Sequence, residues 1–141
     1  MYDKERITKI IRDIEKYFSD LEELDVQSIE DLKDIRNYHA LSMILFTLIN
    51  RAIDLGNEIM VANKYGMAVT YAEIFTTLYT KKTIPEKTEK DLLYLVRSRN
   101  RLSHQYQDLG DKEVYEVYKR IHAIEDLVKI TRKIVGNGKG G

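Results

Sequence analysis

An arginine and a histidine five residues apart on one helix carry the most suggestive chemistry in this sequence of 141 residues. They lie in Arg97-Ser98-Arg99-Asn100-Arg101-Leu102-Ser103-His104-Gln105-Tyr106, where Leu92, Leu95, Val96 and Leu102 recur at helical spacing. At about 100° per residue, Arg99 falls roughly 20° from Leu92, between Leu95 and Val96, in the middle of the apolar stripe. Ser103 and Tyr106 share that stripe, Asn100 and His104 flank it, and Arg97 and Arg101 take the open side. A guanidinium on a core-facing stripe costs several kcal/mol unless it is paired or faces a wet cleft. Two readings follow. In one, Arg99 pairs with an acid across a helix interface and His104 is an ordinary helix-end residue, favourable on dipole grounds. In the other, the two serve phosphoryl chemistry: the planar fork suits a phosphate, and the imidazole exchanges a proton near neutral pH.

The elements that must position these groups are helices. Ile7, Ile10, Ile11, Ile14, Tyr17, Phe18, Leu21 and Leu24 predict a first helix over about residues 3–24. Ser28 and Asp31 have capping-box spacing, and Ile29, Leu32 and Ile35 lead into a second helix reaching about residue 64. Leu41, Ile44, Leu45, Leu48, Ala52, Leu55, Ile59 and Ala62 form one face of it, and Met43, Ile49, Ile53 and Met60 widen that face. A helix apolar over so much of its girth belongs at the centre of a bundle. Gly66 offers a left-handed stop, and Thr70 with Glu73 caps a short helix over about 71–81. Pro85 suits the first turn of a fourth helix, ending near Tyr106. Residues 107–110 connect to Asp111, the expected cap of a last helix over about 112–135. No stretch alternates with period two, and the connectors are short. The expected fold is all-α, an antiparallel up-and-down bundle of about five helices, in one domain over residues 1–135 with a flexible glycine-rich tail at 136–141.

Composition narrows the functions. Hydrophobic residues at 43% and charged residues at 33% describe a folded chain rather than a disordered one. The absence of cysteine removes disulfides, thiolate metal sites and thiol nucleophiles, and a cytoplasmic location is expected. The most apolar stretch, Ala40 to Ile49, is about half of the roughly 20 residues a membrane span needs, so no membrane partner is expected. The start of the chain has no apolar block of the secretory kind. Net charge is zero, but residues 1–35 carry 11 acids and 6 bases, and residues 81–105 carry 7 bases and 3 acids. A general nucleic-acid coat is excluded; a local basic patch is not.

The motif Arg-Asn-x-Leu-x-His-x-Tyr at residues 99–106 resembles the Arg-x4-His-x-Tyr signature of HepT-like toxins in the HEPN superfamily, small helical RNases encoded beside a minimal nucleotidyltransferase antitoxin of the MntA kind. Ala52-Ile53-Asp54-Leu55-Gly56-Asn57 is similar to the family's central-helix segment, and Thr70-Tyr71-Ala72-Glu73-Ile74-Phe75 to its short third helix. The resemblance covers roughly residues 30–135. It implies that Arg99 and His104 are the catalytic pair, that Asn100 is a supporting or phosphate-contacting group, and that Tyr106 is the side chain to which the antitoxin attaches AMP. The additional Arg97 and Arg101 either extend RNA contact, together with Ser103, or only solvate the helix. The implied substrate is RNA, messenger or transfer, and no cofactor is expected.

Metal-independent RNA cleavage wants a base, an acid and a cation near the pentavalent oxygens. Of His39, His104 and His122, only His104 sits beside a misplaced arginine, so one chain supplies one proton carrier and a homodimer with a shared cleft is expected. His39 and His122 are expected on helix surfaces, and neither has metal-ligand spacing with another histidine. Asp54 and Glu58 are expected to be interhelical or surface partners. The competing reading is a non-catalytic helical binding or regulatory subunit of a nucleotidyltransferase.

Overall fold

Asp3 starts the chain's first helix: its carboxylate accepts from Arg6 N at 3.1 Å, and α1 runs Lys4–Leu24. This computed structural model describes residues 1–103 and 109–140, with side chains to residue 136. Ile7, Ile10, Ile11, Ile14 and Leu21 form the buried face of α1, and Asp25 ends it in the left-handed conformation that a short polar side chain tolerates.

The Ser28–Asp31 box does not open the long second helix. The Asp31 carboxylate accepts from the N–H groups of Gln27 and Ser28 and closes a 3₁₀ segment, Ile29–Lys33. Asp34 is extended and accepts from Arg36 N at 2.9 Å, so α2 starts afresh at Ile35 and runs to Ala62. The interruption turns Ile35 out of the stripe, leaving it 66% exposed, and Met43 likewise stands 57% exposed instead of widening the buried face.

As its composition predicts, α2 is central and packs against every other helix. The short α3, Tyr71–Thr80, is capped by Thr70, whose hydroxyl accepts from Glu73 N at 3.2 Å. It lies so close to α2 that a Cβ added at Gly56 would sit 2.7 Å from Ile74 Cγ2 and 3.0 Å from Phe75 Cε1. Gly66, with φ +98°, makes the turn between α2 and α3. Next comes α4, Glu86–Ser103, which buries Thr88, Leu92, Leu95 and Leu102. Its expected end near Tyr106 lies outside the described residues.

The predicted last helix is two segments, α5 (Asp111–Arg120) and α6 (Ala123–Gly140), with Gly110 rather than Asp111 as the cap. The apolar spacing of Val114, Val117, Ile121, Ile124 and Val128 runs through unbroken. The bend is a backbone event, with three-residue hydrogen bonds at Ile121 and Ile124, and side-chain periodicity does not register it. The helical backbone of α6 reaches Gly140 and takes in most of the glycine-rich end that composition assigns to a tail. All elements among the described residues are helical.

Candidate functional site

Arg99 sits one turn before the described end of α4, half-buried where α4 meets α2 and the start of α3. Its Nε donates to Asn50 Oδ1 on α2, and its Nη1 donates to Asn100 Oδ1 at 3.1 Å. The guanidinium carbon lies 5.4 Å from the centre of the Phe46 ring and 5.1 Å from that of Tyr71. These positions follow from the helices. Phe46 and Asn50 are one turn apart on α2 and share a face, and Tyr71 is the first residue of α3.

The partners are neutral. Five other described arginines meet carboxylates: Arg6 with Glu58, Arg51 with Asp54, Arg101 with Glu113, Arg120 with Asp91 and Glu116, and Arg132 with Glu15. Arg12, Arg36 and Arg97 are exposed. Among the described residues Arg99 is therefore the one partly buried arginine with no acid beside it. Among the described residues no acid pairs with Arg99; amide oxygens and ring faces surround its guanidinium instead. Each cation–π contact contributes about 0.5–2 kcal/mol, and a hydrogen bond to a charged group about 1.5–3 kcal/mol. Such partners hold the guanidinium without cancelling its charge. Its Nη2 donors remain uncommitted among the described residues and fit an anion with two oxygens side by side.

The neighbours divide. Asn100 and Ser103 are exposed, and Ser103 donates its hydroxyl to Asn100 O at 2.8 Å. Arg97 is exposed without an acid partner, as expected of a residue on the open side. Arg101 instead reaches α5 and is neutralised by Glu113, which binds the end of α4 to the start of α5. His104 and Tyr106 lie outside the described residues. His39 is exposed and edge-on to Tyr38, with ring centres 5.4 Å apart. His122 is exposed at the α5–α6 bend, its Nδ1 2.5 Å from Glu125 Oε1. Glu58 binds Arg6 of α1 at 2.8 Å and Asp54 binds Arg51 at 2.9 Å, the structural roles expected of them. Sequence reasoning did not reach Asn50, Phe46 and Tyr71. The available signal was Phe46, a large aromatic one turn before Asn50 on the side of α2 away from its main apolar stripe.

The family model described as ribonuclease HepT-like matches residues 7–134. The chain belongs to the HepT-like family. No curated protein is significantly similar to this HepT-like chain. Among solved structures it resembles YutE of Bacillus subtilis, a cytosolic protein of unknown function. The two are 26% identical, the match covers 100% of this chain and 97% of that one, and the TM-score is 0.84. It also resembles a toxin–antitoxin structure with AMP-PNP, at 20% identity over 90% of this chain and 97% of that one, with TM-score 0.81. A third is the tri-AMPylated HEPN toxin of Shewanella oneidensis in complex with MNT antitoxin, at 21% identity, 94% and 99% coverage and TM-score 0.81. The last two likenesses establish that the HepT-like chain has the HEPN toxin fold. Among its described residues no helix is long and apolar enough to cross a membrane.

Proposed function

We propose that this HepT-like protein is a metal-independent endoribonuclease, the toxin of a toxin–antitoxin pair, acting in the cytoplasm as a homodimer. The observation that carries this reading is the half-buried Arg99 held by Asn50, Phe46 and Tyr71 with no carboxylate beside it among the described residues. In the reaction a ribose 2′-hydroxyl attacks the adjacent phosphorus, the bond to the 5′-oxygen breaks, and a 2′,3′-cyclic phosphate remains. Arg99 stabilises the extra charge on the phosphoryl oxygens. His104 of one protomer accepts the hydroxyl proton while the second protomer's copy protonates the leaving oxygen. Asn100 steadies the guanidinium, Arg97 attracts the RNA backbone, and Ser103 and Arg101 border the path of the strand. Tyr71, over Arg99, is 49% exposed and Met43 of α2 is 57% exposed, apolar surface that a second copy would cover.

The antitoxin partner in this reading is an MntA-type nucleotidyltransferase. The Tyr106 phenol attacks the α-phosphate of ATP, pyrophosphate leaves, and an AMP ester blocks the cleft. Purified protein with RNA and a chelator should yield 2′,3′-cyclic phosphate ends, and Arg99→Ala or His104→Ala should abolish them. Cleavage that survives in both variants would overturn the assignment. Tyr106→Phe should retain cleavage and escape modification by the partner enzyme.

A further inference from the structure

Tyr71 is the most exposed of the described tyrosines, at 49%, and it stands against the partly buried arginine that meets no acid. Among the described residues its hydroxyl makes no hydrogen bond. The hydroxyls of Tyr38 and Tyr118 donate to Leu109 O and Val26 O, and that of Tyr2 accepts from Asn63 Nδ2. The backbone that carries Tyr71 is nonetheless held firmly. Thr70 Oγ1 accepts from Glu73 N at 3.2 Å, and the Glu73 carboxylate accepts from Val69 N at 2.9 Å, so hydrogen bonds bracket the residue at the start of α3.

The two rings beside Arg99 differ in what accounts for them. Phe46 is partly buried and packs against the core. Tyr71 gains little from burial and nothing from its hydroxyl. A cation–π contact asks for one face of the ring, and half of the residue's surface stays in water. Its ring centre is 5.1 Å from the guanidinium carbon, whose Nη2 donors are uncommitted among the described residues. A strand whose phosphate takes those donors carries a base on either side of that phosphate, within reach of the ring.

Resting on the ribonuclease reading, we infer that Tyr71 is a stacking platform for one nucleobase of the RNA strand, the base next to the phosphate held by Arg99. Phosphate and base are gripped together, the first by charge and the second by the ring. Every base has a π-face, so this subsite reads the presence of a base and not its identity. A second copy over this surface encloses the platform in the shared cleft.

The test is binding of the full chain to a 2′-O-methylated uridine octamer, which cannot be cleaved through its 2′ oxygen, and to a base-free octamer with the same sugar-phosphate backbone. Tyr71→Ala should weaken the first by about 5-fold to 150-fold and leave the second unchanged, which also shows that the fold and Arg99 are intact. Tyr71→Phe keeps the ring and should keep the parent's affinity for both. A base-bearing octamer that binds the parent no better than the base-free one would overturn the inference. So would an equal loss for both octamers in Tyr71→Ala, which would make the ring only a support for Arg99. A Tyr71→Phe variant as weak as Tyr71→Ala would assign the effect to the hydroxyl and overturn stacking. Sedimentation of the same samples separates the last alternative: affinity lost only because Tyr71→Ala no longer self-associates would make Tyr71 a contact between copies and end the proposal. Base-dependent binding through Tyr71 in a protein that cleaves no unmodified RNA would support the platform and remove the nuclease reading alone.

Discussion

Replacing Asn50 by Asp places a carboxylate against Arg99 Nε with almost no change in side-chain shape, and so tests whether the neutrality of the Arg99 site matters. Opposite charges about 4 Å apart attract by about 4 kcal/mol at an effective dielectric of 20 and about 1 kcal/mol in water. Arg99 is half-buried, so the net gain in stability should lie at the low end, about 1 kcal/mol. The new charge also faces any phosphate bound on the far side of the guanidinium. At about 7 Å the repulsion is roughly 0.6–2.4 kcal/mol over the same dielectric range, a loss in affinity of about 3-fold to 50-fold. Asn50→Asp should therefore melt higher and cleave worse, with kcat/KM for a short RNA falling by that factor. Asn50→Leu is the control: it removes the Nε acceptor and should cost about 1–3 kcal/mol of stability. A variant that melts higher with kcat/KM unchanged would refute the claim that substrate reads the uncancelled charge. An Asn50→Asp variant that melts lower would refute the contact itself.

Gly56→Ala forces a methyl to within 2.7 Å of Ile74 Cγ2 and 3.0 Å of Phe75 Cε1. Overpacking of about 1–3 kcal/mol should outweigh the roughly 1 kcal/mol of helix propensity gained, lowering the denaturant midpoint with an unchanged slope. Arg101 and Glu113 form an exposed pair, so a double-mutant cycle on stability should return a coupling of about 0.2–1 kcal/mol; a value several-fold larger would contradict this account. Tyr118 is held above the ordinary phenol range by burial first and then by Tyr115 and Asp25, and its hydroxyl donates to Val26 O at 3.2 Å. A raised folded-state value means its stabilisation is complete below the unfolded pKa of about 10 and is lost as pH rises through the folded value. Tyr118→Phe should flatten that alkaline loss in unfolding free energy measured across the range.

Much of this fold is legible in one sequence because helix caps and apolar stripes are local. Thr70 and Glu73, three residues apart, settle the start of α3, and the girth of the α2 stripe places it at the centre. The misreadings are equally physical. Ile35 continues the spacing of Ile29 and Leu32, but extended Asp34 resets the helix phase, and spacing alone cannot show a change of phase. The bend at Ile121 and His122 leaves the side-chain period intact. At the site, the inward aim of Arg99 follows from helix geometry. Its partners do not, because Asn50 is 49 residues away and Tyr71 arrives on a different helix. Tertiary approach decides whether an inward arginine meets an acid or an amide, and one sequence holds no local record of that approach.

The choice of neutral partners has a consequence that an ion pair would not. A buried salt bridge satisfies the guanidinium and cancels its field, so an arriving anion would have to displace a carboxylate. Asn50, Phe46 and Tyr71 satisfy directionality and packing while the positive charge remains to be answered. Donors fixed in advance need no reorganisation when charge develops on a phosphate. The same arrangement leaves Tyr71 partly in water, where the field of Arg99 is screened. Covering that surface with a second copy, as proposed, lowers the local dielectric at the moment the cleft is completed. Isolated chains would then bind phosphate weakly, and affinity for RNA would rise with protein concentration and fall with salt. A salt-insensitive, concentration-independent affinity would be incompatible with a guanidinium left unpaired for substrate.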